Sequence, residues 1–259
     1  MAEVVIVDSR ESAGTLVAEA VLRLCAVQSE PVLGLATGDT PLPVYQALAA
    51  RRGEADFARM HGFALDEYVG IDPEHPLSYR RTIHDQVTVP LGLDPERVHV
   101  PNGDPEGLPT AGAAYEAAIQ AAGGVDLQIL GIGSDGHIAF NEPGSSLASR
   151  TRVKTLTERT RADNARFFDS IDEVPTHCIT QGVGTILEAR HLVLLAFGEG
   201  KADAIAAAVE GPVTAMVPAS AIQLHPHVTV VIDEAAASKL TRVDYYRAVW
   251  ASKPEWQHI

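Results

Sequence analysis

The sequence predicts an α/β protein, a three-layer sandwich with a mostly parallel central sheet and helices on both faces. Short runs of β-branched and aliphatic residues recur at 4–8, 31–37, 61–68, 97–101, 126–133, 191–198 and 228–233. Longer stretches of helical period separate them. The strand candidates are apolar almost throughout rather than alternating, as expected of strands covered on both faces. The 259 residues, 46% hydrophobic, are enough for one large core, and no repeat, low-complexity run or Gly/Ser linker divides them. A single Rossmann-like domain over residues 1–259 is expected, with ligands collecting at the carboxyl ends of its strands.

Charge and cysteine usage narrow the function classes. The formal net charge of -14 is spread along the chain, which argues for a soluble protein and against nucleic acid as a partner, because a polyanion would be repelled. Cys25 and Cys178 supply neither a disulfide framework nor a zinc-ligand spacing, which suits the reducing cytoplasm. The opening MAEVVIVDSRESAG has no basic region or small-residue cleavage signal, and no apolar run is long enough to span a bilayer. Neither targeting nor membrane insertion is expected.

Taken in order, VVIVD is the first strand, and Leu16, Val17, Ala20, Val21 and Leu24 follow at helical spacing. PVLGLAT then runs into Thr37, Gly38, Asp39 and Thr40, with Thr40 expected as N-cap and Pro41 at the first helical position. Such a loop turns backbone N–H groups toward a phosphate, although it would also serve as an ordinary capped helix start. Asp39 opposes a phosphate unless its side chain turns away. HGFALDEY is the third strand, with Asp66 and Glu67 near its end. Adjacent strand residues face opposite sides, so only one of these acids can enter a given cleft, and a loop acid could equally cap the next helix.

RVHVP and DLQILGIG are further strands, the second leading into GIGSDGHIAFNEPGSS, residues 131–146. Gly131, Gly133 and Gly136 permit tight turns, and Asp135 stands two residues before His137. A carboxylate against one ring nitrogen fixes the tautomer and favours the imidazolium, leaving the other nitrogen to carry a proton. Whether Glu142 joins them depends on the loop folding back. Arg150, Arg152, Lys154, Arg159, Arg161 and Arg166 form a local basic excess suited to gripping an anion, or else a solvated helix face. HLVLLAFG is the next strand, with Lys201 opening the helix that follows. His225 and His227 read as a turn before the last strand, VTVVID, rather than as a metal site. No dinucleotide-binding glycine pattern and no phosphate-loop Gly-Lys-Ser/Thr is present.

LDEYVGI, HPLSY, GIGSDGHIAFNEPGSSLASRTRVKTL, NARFF, TQGVGTIL and AVEGPVTAMVPASAIQLHP, in order over about residues 31–234, resemble the glucosamine-6-phosphate deaminase family, also called glucosamine-6-phosphate isomerases. The resemblance implies conversion of glucosamine 6-phosphate and water to fructose 6-phosphate and ammonia, with no metal or organic cofactor. It assigns catalysis to Asp66, Asp135, His137 and Glu142: His137 shuttles a proton in ring opening, Asp135 and Glu142 orient and charge it, and Asp66 moves the C2 proton to C1. It places the phosphate on Thr37, Gly38, Asp39, Thr40, Arg166 and Lys201, and a lid over 157–176. Asp39 departs from the family's usual Gly or Ser. Ser145, Ser146, Arg152, Lys154 and Thr155 resemble the allosteric site of hexameric members activated by N-acetylglucosamine 6-phosphate, whereas RVDYYRAVWASKPEWQHI does not match those members and monomeric, non-allosteric relatives exist.

Two other readings compete. A 6-phosphogluconolactonase shares a Gly-x-Gly-x-Asp-Gly-His loop, but lactone hydrolysis needs no base placed at C2, which is what LDEYVGI would supply. A sugar-phosphate sensor of a transcription regulator would need a DNA-binding module, and no helix-turn-helix precedes VVIVD.

Overall fold

The central apolar runs become strands hidden on both faces, with the helical stretches between supplying the cover, while the edge strands Glu3–Val7 and Val98–His99 are only partly buried. The computed structural model describes residues 2–165, 168, 170–254 and 256–259. Its strands in chain order are β1 (Glu3–Val7), β2 (Val32–Leu35), β3 (His61–Ala64), β4 (Asp66–Tyr68), β5 (Val98–His99), β6 (Leu127–Leu130), β7 (Arg152–Thr155), β8 (His177–Thr180), β9 (His191–Ala196) and β10 (Val228–Asp233). Seven of them form a parallel sheet in the order β1-β10-β9-β6-β2-β3-β5. β2, β6 and β9 are buried along their whole length. Val17 and Val21 from one helix, Val44 and Leu48 from the next, and Ile205 and Ala208 from a later one complete the core. The α/β sandwich read from the sequence is the fold observed.

Two features depart from that reading. The single strand expected over 61–68 is broken at Leu65, whose N–H still bonds the Leu35 carbonyl (3.1 Å) while its own carbonyl accepts from Gln181 N–H (2.8 Å). The chain thus passes from one sheet to another across one residue. Its continuation, β4, pairs antiparallel with β8, and β8 with β7, in a second sheet of order β4-β8-β7. The stretch 152–155, expected as basic surface or helix, is therefore a strand. A small aromatic cluster of Tyr68, Tyr79, Phe140 and Phe168 lies under this sheet.

Strand order sets the place of the site. From β2 the sheet grows one way through β3 and β5 and the other way through β6, β9, β10 and β1. The carboxyl ends of β2 and β6 thus flank a point where the winding reverses, and loops leaving that point diverge to open a crevice.

Candidate active site

The crevice is a cavity of about 630 Å³, a size that fits a small phosphorylated sugar. Thr37, Gly38, Asp39 and Thr40 after β2, Asp66 after β3, Gly133 and His137 after β6, and Lys201 after β9 all line it. Loops far apart in sequence meet there because parallel strands all present their carboxyl ends to one edge.

The two acids of LDEY separate as strand alternation requires. Asp66 and Tyr68, two residues apart, face the cavity. Glu67 points the other way, its Oε1 accepting from the N–H groups of Tyr68 (2.8 Å) and Tyr79 (2.9 Å) and its Oε2 from that of Arg80 (2.9 Å). Glu67 thereby caps the helix Tyr79–Ile83, together with Ser78. Asp66 is buried, and its carboxyl is pushed up to about 8, first by desolvation and then by the nearby Glu67 charge, with the Phe140 N–H acting in the opposite direction. A buried acid poised near neutrality and open to a cavity has the properties of a general base.

The loop after β6 folds back on itself. Gly133 N–H bonds the His137 carbonyl (2.9 Å), and Gly136 N–H bonds that of Gly133 (3.0 Å). A Cβ on Gly133 would sit 2.1 Å from Cε1 of His137, so glycine is what lets the ring lie against this turn. His137 Nδ1 lies 2.7 Å from Asp135 Oδ1, a close polar contact between ring and carboxylate. That contact holds the Asp135 carboxyl down at about 2, against the opposing effect of partial burial. Ala139, in the left-handed region at φ 50°, makes the turn that returns the chain, a conformation costing roughly 1–2 kcal/mol outside glycine. Asn141 fastens the return, its Nδ2 donating to the carbonyls of Ile138 (3.0 Å) and Gln181 (2.8 Å).

Glu142 is brought in by that return. Donor atoms of Asp135, His137 and Glu142 lie within 4.8 Å of one another, a grouping that could also hold a cation. Glu142 is buried, and its Oε1 accepts from the hydroxyls of Thr157 (3.2 Å) and Thr160. Those threonines belong to the start of the helix Glu158–Asn164, within the span expected to be a lid. Thr160, Asn164 and Phe168 from that span line the cavity.

The anion-binding expectations fare unevenly. Lys201 reaches into the cavity, its Nζ donating to the Ile132 carbonyl at 2.7 Å. Gly38 adopts φ 87°, exposing the backbone of its loop. Thr40 is not the N-cap: the helix Leu42–Ala50 begins after Pro41, whose carbonyl accepts the first helical bonds, and no side chain caps it. The proline that suits an early position is Pro43, so the helix starts one residue later than expected. Arg166 lies outside the described residues. Arg150 pairs with Glu116 and Glu188, and Arg161 bonds the carbonyls of Val174 (3.2 Å) and Ile171 (2.8 Å), so these two cations are engaged away from the cavity.

The residues expected at an allosteric site sit beside the small sheet. Arg152 and Lys154 share one face of β7 and Thr155 the other. Arg152 donates to Asn141 Oδ1 at 2.9 Å. Ser145 is buried with no partner for its Oγ among the described residues, while Ser146 is exposed and its Oγ accepts from Ala148 N–H at 3.2 Å. Sequence reasoning missed Arg10, Tyr68, Tyr79, Phe140 and Phe197 among the residues lining the cavity. Arg10 and Phe197 were accessible to it, since both follow the carboxyl end of an apolar strand. The aromatic residues depend on the second sheet and carried no local signal.

Comparison with known proteins bears on this site. A family model described as glucosamine-6-phosphate isomerases/6-phosphogluconolactonase matches residues 8–231. The chain is 61% identical over 260 residues to glucosamine-6-phosphate deaminase of Streptomyces avermitilis, covering 99% of this chain and 100% of that protein. It is 57% identical over 270 residues to the deaminase of Bifidobacterium longum, covering 100% of both. Among solved structures, a monomeric glucosamine-6-phosphate deaminase superposes with a TM-score of 0.88 at 39% identity, covering 92% of this chain and 99% of that one. The 6-phosphogluconolactonase of Leishmania guyanensis superposes with a TM-score of 0.73 at 20% identity over 92% of this chain and 98% of that one, a likeness of fold alone.

Proposed function

The chain belongs to the glucosamine-6-phosphate isomerase/6-phosphogluconolactonase family, and from that premise we propose that it converts glucosamine 6-phosphate and water to fructose 6-phosphate and ammonia. One observation carries the reading at the level of residues: Asp66 and His137, from different strand ends, open onto one cavity, with Asp135 and Glu142 gathered about His137.

The sugar arrives as a closed ring. His137 takes the proton of the anomeric hydroxyl and delivers it to the ring oxygen, its ring held by the Asp135 carboxylate 2.7 Å from Nδ1. The open aldehyde acidifies the C2 proton, which Asp66 removes while the aldehyde oxygen takes a proton from the substrate's own ammonium group, giving the enolamine; Asp66 then returns its proton to C1, leaving a protonated imine at C2. Water adds to that imine and ammonia leaves. The substrate's own ammonium group, entering beside Asp66, favours the carboxylate and offsets the burial that pushes its pKa up. Atoms and charges balance with water alone, so the reading uses no redox step. Lys201 and the Thr37–Thr40 loop hold the phosphate, with Arg166 assigned the same role. Helix Glu158–Asn164, tied to Glu142 through Thr160, acts as part of a lid that keeps bulk water from the enolamine. The reading takes residues 1–259 as one domain working in the cytoplasm.

The test is to supply glucosamine 6-phosphate to purified protein. Fructose 6-phosphate and ammonia are expected in equal amounts, with no inhibition by a chelator. Hydrolysis of 6-phosphogluconolactone with the amino sugar ignored would replace the reading, and loss of activity on chelation would turn the Asp135, His137 and Glu142 grouping into a metal site. Adding N-acetylglucosamine 6-phosphate to the same assay tests Ser145, Ser146, Arg152, Lys154 and Thr155 as an activator site, and sedimentation separates a hexamer from a monomer.

A further inference from the structure

Arg10 is an unassigned cation in the cavity. It opens the helix Arg10–Val27, directly beyond β1, and lines the same space as Asp39, Thr40 and Lys201. Its guanidinium carbon stands 5.2 Å from the centroid of the Phe197 ring, and it forms no ion pair with any described residue. Stacking on an aromatic face fixes the plane of a guanidinium and leaves its N–H donors directed outward along the edge.

Packing brings this arginine to the phosphate loop. One turn along the same helix face, Gly14 touches the start of the next helix so closely that a Cβ would lie 2.4 Å from the Pro43 carbonyl oxygen. Glycine at that crossing lets the two helices meet at their first turns. Arg10 lies one turn before Gly14, and Asp39 lies in the loop that leads into the second helix; both line the cavity at the start of the helix pair. Asp39 is exposed and, among the described residues, has no ion pair or hydrogen bond. A lone carboxylate beside a phosphate dianion would weaken its binding, and a cation from the neighbouring helix cancels that repulsion.

We propose that Arg10 is a further phosphate-binding residue of this site, selecting for the phosphorylated sugar and compensating for the carboxylate of Asp39. The inference rests on the activity proposed above for its substrate, and the aromatic seat and the glycine crossing carry it independently of any motif.

The experiment compares the wild type with Arg10→Gln, Arg10→Lys, Asp39→Ser and the Arg10→Gln/Asp39→Ser double variant. KM for glucosamine 6-phosphate and kcat are measured, along with binding of inorganic phosphate by calorimetry. Arg10→Gln is expected to raise KM about tenfold, with a much smaller change in kcat, and to weaken phosphate binding by a similar factor. Arg10→Lys keeps the charge and recovers most of the loss. Adding Asp39→Ser to Arg10→Gln restores KM to within about threefold of wild type, because the uncompensated charge is gone. Unchanged KM and phosphate binding in Arg10→Gln overturn the proposal, and a penalty that is the same with Asp39 or Ser at that position overturns the compensation. If the wild type ignores the amino sugar, the functional reading fails while phosphate binding by the same variants still decides the role of Arg10.

Discussion

Asp66 beyond the carboxyl end of β3 and His191 at the amino end of β9 are equally hidden, each 6% exposed, yet the fold treats them in opposite ways. Asp66 opens on a cavity, beside a second acid, with its carboxyl pushed up to about 8. His191 does not line that cavity. Its Nε2 lies 3.0 Å from Thr229 Oγ1, and its ring stacks on His227 with centroids 3.7 Å apart. Burial, followed by the charges of His227 and His225, drives its pKa down to about 3, so it stays neutral. His225 in turn donates to the Ala189 carbonyl at 2.6 Å. The histidines at the amino end close the sheet by packing. Burial alone therefore does not mark a reacting group; burial against an open space, near a charge that opposes ionisation, does.

The contrast can be broken most sharply at Asp66. Asp66→Asn should lower kcat for ammonia release about 10³-fold, while fructose 6-phosphate still binds with near wild-type affinity. A fall of only a few-fold would leave Asp66 as a structural acid like Glu67. Next in size, Gly133→Ala forces a methyl into the His137 ring and should reduce kcat about 10²-fold with modest loss of stability, measured by steady-state kinetics alongside thermal unfolding. Retention of full activity would mean that the orientation of the ring does not matter.

A smaller effect concerns stability, and its sign differs between the two ends. The carboxyl of Asp66 is raised from its ordinary value of 3.8 to about 8, so the folded state binds the proton more tightly and stability is lost as pH rises between those values. Asp66→Asn should accordingly gain in unfolding temperature over the wild type as pH goes from 5 to about 8. The ring of His191 is lowered from 6.5 to about 3, so the unfolded state binds the proton and stability is lost as pH falls below about 6.5. His191→Gln should lose stability at pH 8 through the broken stack and show less of the wild type's decline on acidification, with kcat within about twofold of wild type. Parallel pH profiles for the two variants would erase the distinction between the ends.

Local signals made much of the fold legible. The apolar runs around Leu33, Ile129, Leu194 and Val230 became central strands because a strand buried on both faces is apolar at nearly every position. The glycine turns and acid-imidazole spacing of residues 131–142 likewise gathered Asp135, His137 and Glu142, since a short loop bent by Gly136 and Ala139 cannot carry them far apart. Misreadings fell where a distant partner decides the outcome. The break at Leu65 depends on Leu35 and Gln181, and β7 exists because β8 is there to bond it. Arg150 looked available for an anion until Glu116, on the helix Leu108–Ala121, and Glu188, in the turn before β9, took it.

What the amino-acid sequence determined by itself was the set of strands in the main sheet, its parallel character and the residue types that chemistry would draw on, all properties set by neighbours a few positions away. Only the tertiary structure decided that Asp66 and not Glu67 meets the cavity, that its carboxyl is held near neutrality, and that Arg10 lines the same cavity as the Thr37–Thr40 loop. Those outcomes depend on strand order, on a one-residue transfer between sheets and on a helix crossing at Gly14, and the desolvation and charge they create are sums over groups far apart along the chain.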